Sequence, residues 1–277
     1  MAKKKEEKYV DIEGLIKSKN PRLLKWTPRF FINYLKRKIH EDDVNEFLKE
    51  NEDADGFEFS HNVLDRCGIE VKSHHLNRVP KKGGVILALN HPLGGMDAMA
   101  LITEFENHRK DFKFVVNDLL MNLKNLRGLF VGVNKHGTNT KEDLKILNDL
   151  FAAQQAIFVF PAGLVSRRKR GKVQDLEWKK TFITRAKRYK LDVIPVHIEG
   201  ELSNFFYRLS NFRRAIGIKA NIEMLYLVDE LFKQKDKTIE LRFGEPIPYS
   251  TFDKSKKDLE WAAWVKSKVY QLQSKSK

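Results

Sequence analysis

The sequence predicts an α/β protein, with a mixed, mostly parallel sheet of about seven strands flanked by helices and an N-terminal helical segment. From residue 80 onward, short apolar runs alternate with helix-length segments. Residues 1–50 instead show apolar side chains at helical spacing, interleaved with lysines and arginines. We therefore expect a basic amphipathic helical segment at residues 1–65 and an α/β domain at residues 66–277.

The predicted strands are apolar runs bounded by polar or glycine-containing segments: residues 85–89, 112–116, 129–133, 156–160, 193–197, 220–227 and 239–243. Helical patterns occupy residues 98–108, 141–153, 178–189 and 254–273. In such sheets the functional residues gather where the parallel strands end. The loops that follow strands are therefore the places to look for chemistry.

The net charge of +15 is concentrated in two segments of the chain. Residues 1–40 carry 12 Lys or Arg against 4 Asp or Glu, and residues 165–190 carry 11 against 2. The remainder is close to neutral. Basic patches on a near-neutral body indicate an anionic surface or ligand.

Composition also excludes several classes of protein. Cys67 is the only cysteine, so a disulfide framework and a cysteine zinc site are excluded, and a small buried side chain is the expected role. The basic start is not followed by the apolar stretch of a secretory signal. No run of about 18 apolar residues occurs, so we expect any membrane contact to be peripheral.

The segment around residues 28–39 has the pattern of a helix lying at a membrane interface. Aromatic and basic side chains alternate there at helical spacing, and we predict membrane contact by Arg29, Phe30, Phe31, Lys36, Arg37 and Lys38. A helix packed on the body of the protein with a solvated basic face explains the same pattern equally well.

A histidine and an aspartate share the loop that follows the strand at residues 85–89. The sequence there is Asn90-His91-Pro92-Leu93-Gly94-Gly95-Met96-Asp97, and a helical pattern follows. Proline and glycine let such a loop fold His91 toward Asp97. An imidazole held by a carboxylate can act as a base near neutral pH. Alternatively, Asp97 is the N-cap of the following helix.

A second loop, at residues 160–168, follows another predicted strand and leads into the densest basic run. Gly163, the Ser166 hydroxyl and the guanidinium groups of Arg167 and Arg168 are suited to binding a phosphate or carboxylate. For the later cations of this run, a solvated basic loop is the simpler interpretation. Two further blocks follow. Residues 128–135 end in Lys135, and residues 193–198 form a predicted strand that is interrupted by a proline.

These four blocks resemble, in order, those of the lysophospholipid (glycerol-phosphate) acyltransferase superfamily. The resemblance covers roughly residues 70–250 and implies a glycerol-phosphate acyltransferase-like fold. It further implies that His91 is the general base, Asp97 its partner, and acyl-CoA or acyl carrier protein the thioester donor, without another cofactor or a metal. The implied substrate-binding residues are Asn90, Gly94, Gly95, Lys135, Gly163, Ser166, Arg167 and Arg168, with backbone N–H groups near the glycines binding the oxyanion.

Two features resemble one branch of that superfamily, the haemolysin-like branch, which includes acyltransferases for ornithine and related amino-acid lipids. Five residues, rather than four, separate His91 from Asp97, and Ala162 stands where a glutamate is usual. The resemblance thus implies an O-acyltransferase of membrane lipid biosynthesis whose acceptor is a lyso-amino-acid lipid or a lysophospholipid. It would work peripherally on the anionic cytoplasmic face of the inner membrane.

Three other classes of protein share parts of this pattern. A nucleic-acid- or membrane-binding protein without catalysis would also be basic. Neither zinc-finger spacing nor an RNA-recognition signature occurs, and we expect no nucleic acid as partner. A serine hydrolase would need the absent Gly-x-Ser-x-Gly elbow. A metal-dependent hydrolase using His91 and Asp97 stays open, although no further ligands occur at persuasive spacing.

Overall fold

The computed structural model describes residues 8–19, 25–133 and 141–274. These residues form two compact units, each made of two stretches of chain. The first unit comprises Met1–Ala54 and Ser203–Lys233, and the second comprises Asp55–Leu202 and Gln234–Lys277. These bounds differ from the expected division after residue 65, because a later stretch of chain joins the N-terminal helices.

The first unit is helical. Its labelled helices are α1 (Ile12–Lys19), α2 (Arg29–Ile39), α3 (Glu41–Glu50), α8 (Asn204–Ala215) and α9 (Leu227–Phe232), with a 3-10 turn at Ile222–Tyr226. The strand expected at residues 220–227 is wrong, because its residues form that 3-10 turn and the start of α9. Inside the unit, buried Glu223 accepts a hydrogen bond of 2.5 Å from the Arg213 guanidinium, and this ion pair fixes the turn against α8.

The second unit contains a seven-stranded mixed sheet, which confirms the predicted fold class. Its strands are β1 (Glu70–His74), β2 (Val85–Leu89), β3 (Phe112–Asn117), β4 (Phe130–Val133), β5 (Ala156–Val159), β8 (Asp192–Ile198) and β9 (Thr238–Phe243). Their order is β1-β9-β8-β2-β5-β3-β4. All neighbouring pairs are parallel except β8 and β9. Strand β2 therefore lies in the middle, with its carboxyl end beside those of β5 and β8.

Helices cover both faces of this sheet: α4 (Gly56–Arg66), α5 (Gly95–Glu106), α6 (Lys141–Ala152), α7 (Thr181–Tyr189) and α10 (Asp258–Gln271). One face packs Phe105 edge-on against Phe158 at 4.7 Å between ring centroids, and every side chain of β2 is buried. The other face packs α6, α7 and α10 around Trp178 and Ile183. Burying such side chains contributes about 2 kcal/mol each, so this core rigidly positions the loops at the strand ends.

Three smaller features complete the second unit. A hairpin of β6 (Arg167–Lys169) and β7 (Lys172–Gln174) projects beyond β5. Short 3-10 turns lie at Leu76–Arg78, Asp118–Asn122, Lys124–Leu126 and Tyr249–Thr251. Cys67 is buried as expected, and burial raises the pKa of its thiol.

The described helices are all too short or too polar to cross a bilayer.

Candidate active site

The loop between β2 and α5 lies at the carboxyl edge of the central strand. Gly94 adopts φ 71° and ψ −128° at the N-cap of α5, a conformation that side chains with a Cβ rarely adopt. This turn starts the helix so that Asp97 is its third residue. The alternative role of Asp97 as the N-cap is therefore wrong, since Gly94 occupies that position.

His91 and Asp97 are in direct contact. The distance between His91 Nδ1 and Asp97 Oδ2 is 2.8 Å, and the Leu93 N–H donates to the same oxygen at 3.1 Å. The Asp97 side chain is fully buried, whereas that of His91 is 20% exposed. The imidazole also lies against Phe160, with ring centroids 4.3 Å apart. These contacts fix the plane of the ring and leave Nε2 as the nitrogen available to another molecule.

The electrostatics of the pair follow from its burial. Burial raises the pKa of the Asp97 carboxyl, while the hydrogen bonds from His91 and Leu93 act in the opposite direction. A carboxylate at Nδ1 selects the tautomer that carries its proton there. The pair can thus present Nε2 as a proton acceptor, which is the arrangement needed for general-base chemistry.

Asp175 fixes this loop to its neighbour and was not singled out from the sequence. Its Oδ1 accepts from the His91 backbone N–H at 3.2 Å and from the Ser166 hydroxyl at 2.6 Å. Its Oδ2 accepts from the Trp178 indole N–H at 2.8 Å. The Ser166 N–H in turn donates to the His91 carbonyl at 2.8 Å. The two predicted functional loops are therefore joined through one buried carboxylate.

Asn90 occupies a structural position at the end of β2. Its side-chain amide donates to the Ile198 carbonyl at 2.8 Å and accepts from the Ile198 N–H at 2.7 Å. This two-bond bridge joins the carboxyl ends of β2 and β8. Both polar groups of the Asn90 side chain are thereby engaged within the protein.

The two arginines expected to bind an anionic group are engaged within the second unit. Arg167 is buried, and its guanidinium donates to the Val165 carbonyl at 2.5 Å. Arg168 forms an ion pair with Glu201 at 2.8 Å. The substrate-binding role predicted for both stays a prediction. Lys135 lies outside the described residues.

Another cation lies beside the glycine of the second loop. Gly163 has φ +65°, and a Cβ built on it would lie 3.8 Å from the Lys179 ammonium. The Lys179 N–H donates to the Pro161 carbonyl at 3.0 Å, which anchors this residue to the loop while its side chain stays exposed. Sequence reasoning counted Lys179 only as part of the basic run, because nothing along the chain links it to Gly163.

A polar cleft of about 190 Å³ lies next to these loops, lined in part by Asn90, Pro92, Ser166, His197 and Tyr270. Burial lowers the pKa of His197 to about 4, with a smaller contribution from the charge of Arg242. Burial also raises the pKa of the Tyr270 hydroxyl, followed by the negative charge of Asp175. Both groups are therefore neutral at physiological pH.

Across the described ranges, no three His, Cys, Asp or Glu side chains gather as metal ligands would.

Comparison with known proteins decides which family carries this arrangement. A sequence profile described as "Acyltransferase" matches residues 14–276. The chain belongs to this acyltransferase family. This confirms the expected superfamily and enzyme class.

Two curated relatives of this acyltransferase match over 264 residues. The protein from Bacteroides thetaiotaomicron is 44% identical, covering 95% of this chain and 97% of that protein. The protein from Phocaeicola vulgatus is 43% identical, covering 95% of both. Each is named a lyso-glycine lipid O-acyltransferase. A solved structure, the 1-acyl-sn-glycerophosphate acyltransferase PlsC from Thermotoga maritima, aligns over 90% of both chains with a TM-score of 0.48 and 18% identity.

Proposed function

We propose that this acyltransferase moves a fatty acyl group from a thioester to the hydroxyl of a lyso-amino-acid lipid, with lyso-glycine lipid as the first acceptor to test. The observation that carries the proposal is the His91 Nδ1 to Asp97 Oδ2 contact of 2.8 Å on a partly exposed loop. The names of the two relatives, which are similar over nearly their whole length, support the acceptor class.

In the proposed reaction, His91 Nε2 accepts the proton of the acceptor hydroxyl as its oxygen attacks the thioester carbonyl. The tetrahedral intermediate then expels the thiolate. The imidazolium returns the proton to the leaving sulfur, so that an ester and a free thiol are formed. Buried Asp97 holds the ring in place and stabilises its positive charge between the two proton transfers.

The oxyanion of that intermediate needs hydrogen-bond donors. Helix α5 begins at Gly95 without a side-chain cap, and the Asp97 N–H donates to the Gly94 carbonyl, so the N–H groups of Gly95 and Met96 are the ones that can donate to a bound anion. The N–H of Gly94 also belongs to this turn region. We propose that the oxyanion binds at this turn, because the turn also carries Asp97, whose carboxylate contacts His91.

The acceptor headgroup of a glycine lipid carries a carboxylate, and Lys179 is positioned to bind it. Arg167 and Arg168 already have partners within the protein, whereas Lys179 is exposed beside Gly163. Ala162 also leaves the loop without a carboxylate that would repel an anionic headgroup. The Lys179 ammonium is therefore the proposed partner of the acceptor's negative charge.

The proposal also covers the acyl donor and the location of the enzyme in the cell. The donor is acyl-CoA or acyl carrier protein. Both donors present a thioester, and the mechanism uses only that group. An acceptor with a fatty chain resides in a membrane, so the enzyme must reach a lipid surface. We propose peripheral binding to the anionic cytoplasmic face of the inner membrane through the segment that contains Arg29 to Lys38.

The direct test is transfer of a labelled acyl chain by the purified protein. Acyl-CoA and acyl carrier protein would each be supplied with lyso-glycine, lyso-ornithine and lysophosphatidic acid acceptors. We expect transfer to the lyso-glycine lipid, and about a thousandfold lower kcat for His91→Ala, the size typical of a lost general base. A matched control is His108→Ala, because His108 lies in the same unit and its Nε2–H donates to the Val79 carbonyl. Full activity of His91→Ala would contradict the mechanism.

Lys179 is tested separately. Lys179→Gln should raise the KM for the acceptor about tenfold through loss of one charge-assisted hydrogen bond, with the KM for the donor unchanged. Lys180→Gln is the control, since that neighbouring lysine is also exposed. A rise in the donor KM alone would place Lys179 at the thioester instead.

A further inference from the structure

An apolar stripe runs along one exposed side of helix α8 in the first unit. Phe205, Phe212 and Ile216 are 45%, 61% and 54% exposed. Their spacings of seven and four residues place them on one line along a helix. The opposite side of α8 is buried through Phe206, Tyr207 and Ser210. The stripe is therefore a second apolar face of α8, on the side away from these buried residues.

The stripe is continuous with the aromatic residues of α2. Phe31 stacks on Tyr34 with ring centroids 6.4 Å apart, and the Tyr34 and Tyr226 hydroxyls are 3.1 Å apart. The Tyr226 ring packs edge-on against Phe205 at 5.0 Å. A chain of contacts thus connects the exposed aromatic side of α2 to the first residue of the stripe, within the same unit.

The charge around the stripe indicates what covers it. Residues 203–220 contain four Arg or Lys and no Asp or Glu, and residues 25–39 contain five and none. Arg213 is paired with buried Glu223, while Arg208, Arg214 and Lys219 are exposed. Apolar and aromatic side chains on segments whose charged residues are all cations are complementary to an anionic lipid surface.

We infer that the Phe205–Phe212–Ile216 stripe is a second membrane-contacting element, which inserts into an anionic bilayer together with the aromatic residues of α2. This inference rests on the proposed function only in that a lipid acceptor requires access to a membrane. Two contacting elements would fix the orientation of the unit on the bilayer, because one helix alone can rotate about its own axis.

The first test places an environment-sensitive label in the stripe. Cys67 is the sole cysteine and is buried, so Phe212→Cys in a Cys67→Ala background gives one accessible thiol for the fluorophore NBD. With vesicles of equal parts phosphatidylcholine and phosphatidylglycerol, we expect a blue shift and stronger emission. The control is Leu144→Cys, at a comparably exposed apolar position of α6 in the second unit, whose label should not respond.

The second test measures vesicle binding of unlabelled protein by sedimentation. Phe212→Ser combined with Ile216→Ser should weaken binding about tenfold, through loss of the apolar area that enters the lipid. Leu144→Ser combined with Ile146→Ser removes similarly exposed apolar side chains and should leave binding unchanged.

Two outcomes would overturn the inference. One is an unresponsive Phe212→Cys label on protein that sediments with vesicles. The other is a label response that appears without lipid and rises with protein concentration, which would show that a second copy covers the stripe. Neither test contains an acyl donor or acceptor, so its result and the result of the transfer assay are independent of each other.

Discussion

At the scale of single residues, the carboxylate of Asp175 links three segments of chain. It accepts hydrogen bonds from the backbone of His91, the hydroxyl of Ser166 and the indole of Trp178. An asparagine would turn its amide N–H₂ toward at least one of these donors. The position of the loop that carries His91 therefore depends on a carboxylate that contacts the His91 backbone and not its imidazole.

Asp175→Asn should lower the free energy of unfolding by about 2 kcal/mol, because a buried donor is left without an acceptor. At a temperature where the variant stays folded, kcat should fall about tenfold through the displaced His91 loop, with the donor KM unchanged. Urea denaturation and steady-state kinetics measure both. Asp149→Asn, at an exposed position of α6, is the control. Lower stability with wild-type kcat would limit Asp175 to a structural role.

The sequence allowed the His91 and Asp97 contact to be predicted because both lie on one short loop bounded by a strand and a helix. The role of Asp175 could not be predicted, because it is 84 residues from His91 along the chain. The inward orientation of Arg167 was missed for a related reason. A basic run in sequence does not show which of its cations meet backbone carbonyls and which meet solvent.

At the scale of secondary structure elements, the basic face of α2 is partly neutralised inside the first unit. Lys36 pairs with Glu13 at 2.6 Å, and Lys38 pairs with Asp229 at 3.1 Å. Among the described residues, Arg29 and Arg37 have no carboxylate within ion-pair distance. These two arginines should therefore carry most of the attraction of α2 to anionic lipid.

We expect Arg29→Glu combined with Arg37→Glu to weaken binding to phosphatidylglycerol vesicles by about tenfold or more at low salt, since each cation near such a surface contributes about 1 kcal/mol. The difference should shrink as salt rises. The control is Lys81→Glu combined with Lys82→Glu, which changes the net charge equally at exposed positions of the second unit. Equal weakening by both pairs would show a general charge effect rather than a contact of α2.

The elements missed by the sequence share a lack of apolar pattern. Strand β1 has the sequence Glu-Val-Lys-Ser-His and lies at the edge of the sheet, half exposed, so it offers no continuous apolar run. The β6–β7 hairpin is rich in cations and likewise offers no apolar run from which its strands could be predicted. Residues 220–227 show the reverse error, because their alternating pattern resembles a strand while Glu223 is buried against Arg213.

At the scale of the whole molecule, the fold class could be predicted but the strand order could not. Apolar runs show that strands exist, whereas the order of the strands in the sheet depends on packing between distant segments.

His197 shows how such packing changes the pKa of an ionisable group. Its imidazole is 3% exposed and packs edge-on against Tyr270. His197 pairs with Arg242 on the neighbouring antiparallel strand. Glu199 approaches its Nδ1 only to 3.6 Å.

The stability of the protein should depend on His197 at mildly acidic pH. Its pKa is about 4 in the folded chain and about 6.5 in an unfolded one. Between these values the unfolded chain binds a proton that the folded chain does not. The stabilisation is therefore complete above pH 6.5, decreases as the pH falls, and is lost below pH 4.

For the wild type, this linkage contributes a loss of about 2 kcal/mol between pH 7 and pH 5. Urea denaturation at the two pH values measures it, and His197→Gln should show a correspondingly smaller loss over the same interval. His75→Gln, which removes a histidine of the same unit outside the sheet, provides the comparison. An identical pH dependence in wild type and His197→Gln would contradict the assignment to His197.

The bridge between Asn90 and Ile198 has a consequence for biosynthesis. The ribosome completes the loop that carries His91 early, yet Ile198, to which the Asn90 side chain hydrogen-bonds, is translated 108 residues later. A nascent chain released before that point lacks the neighbour that holds β2 on one side. His91 therefore acquires its final setting only once most of the polypeptide has emerged.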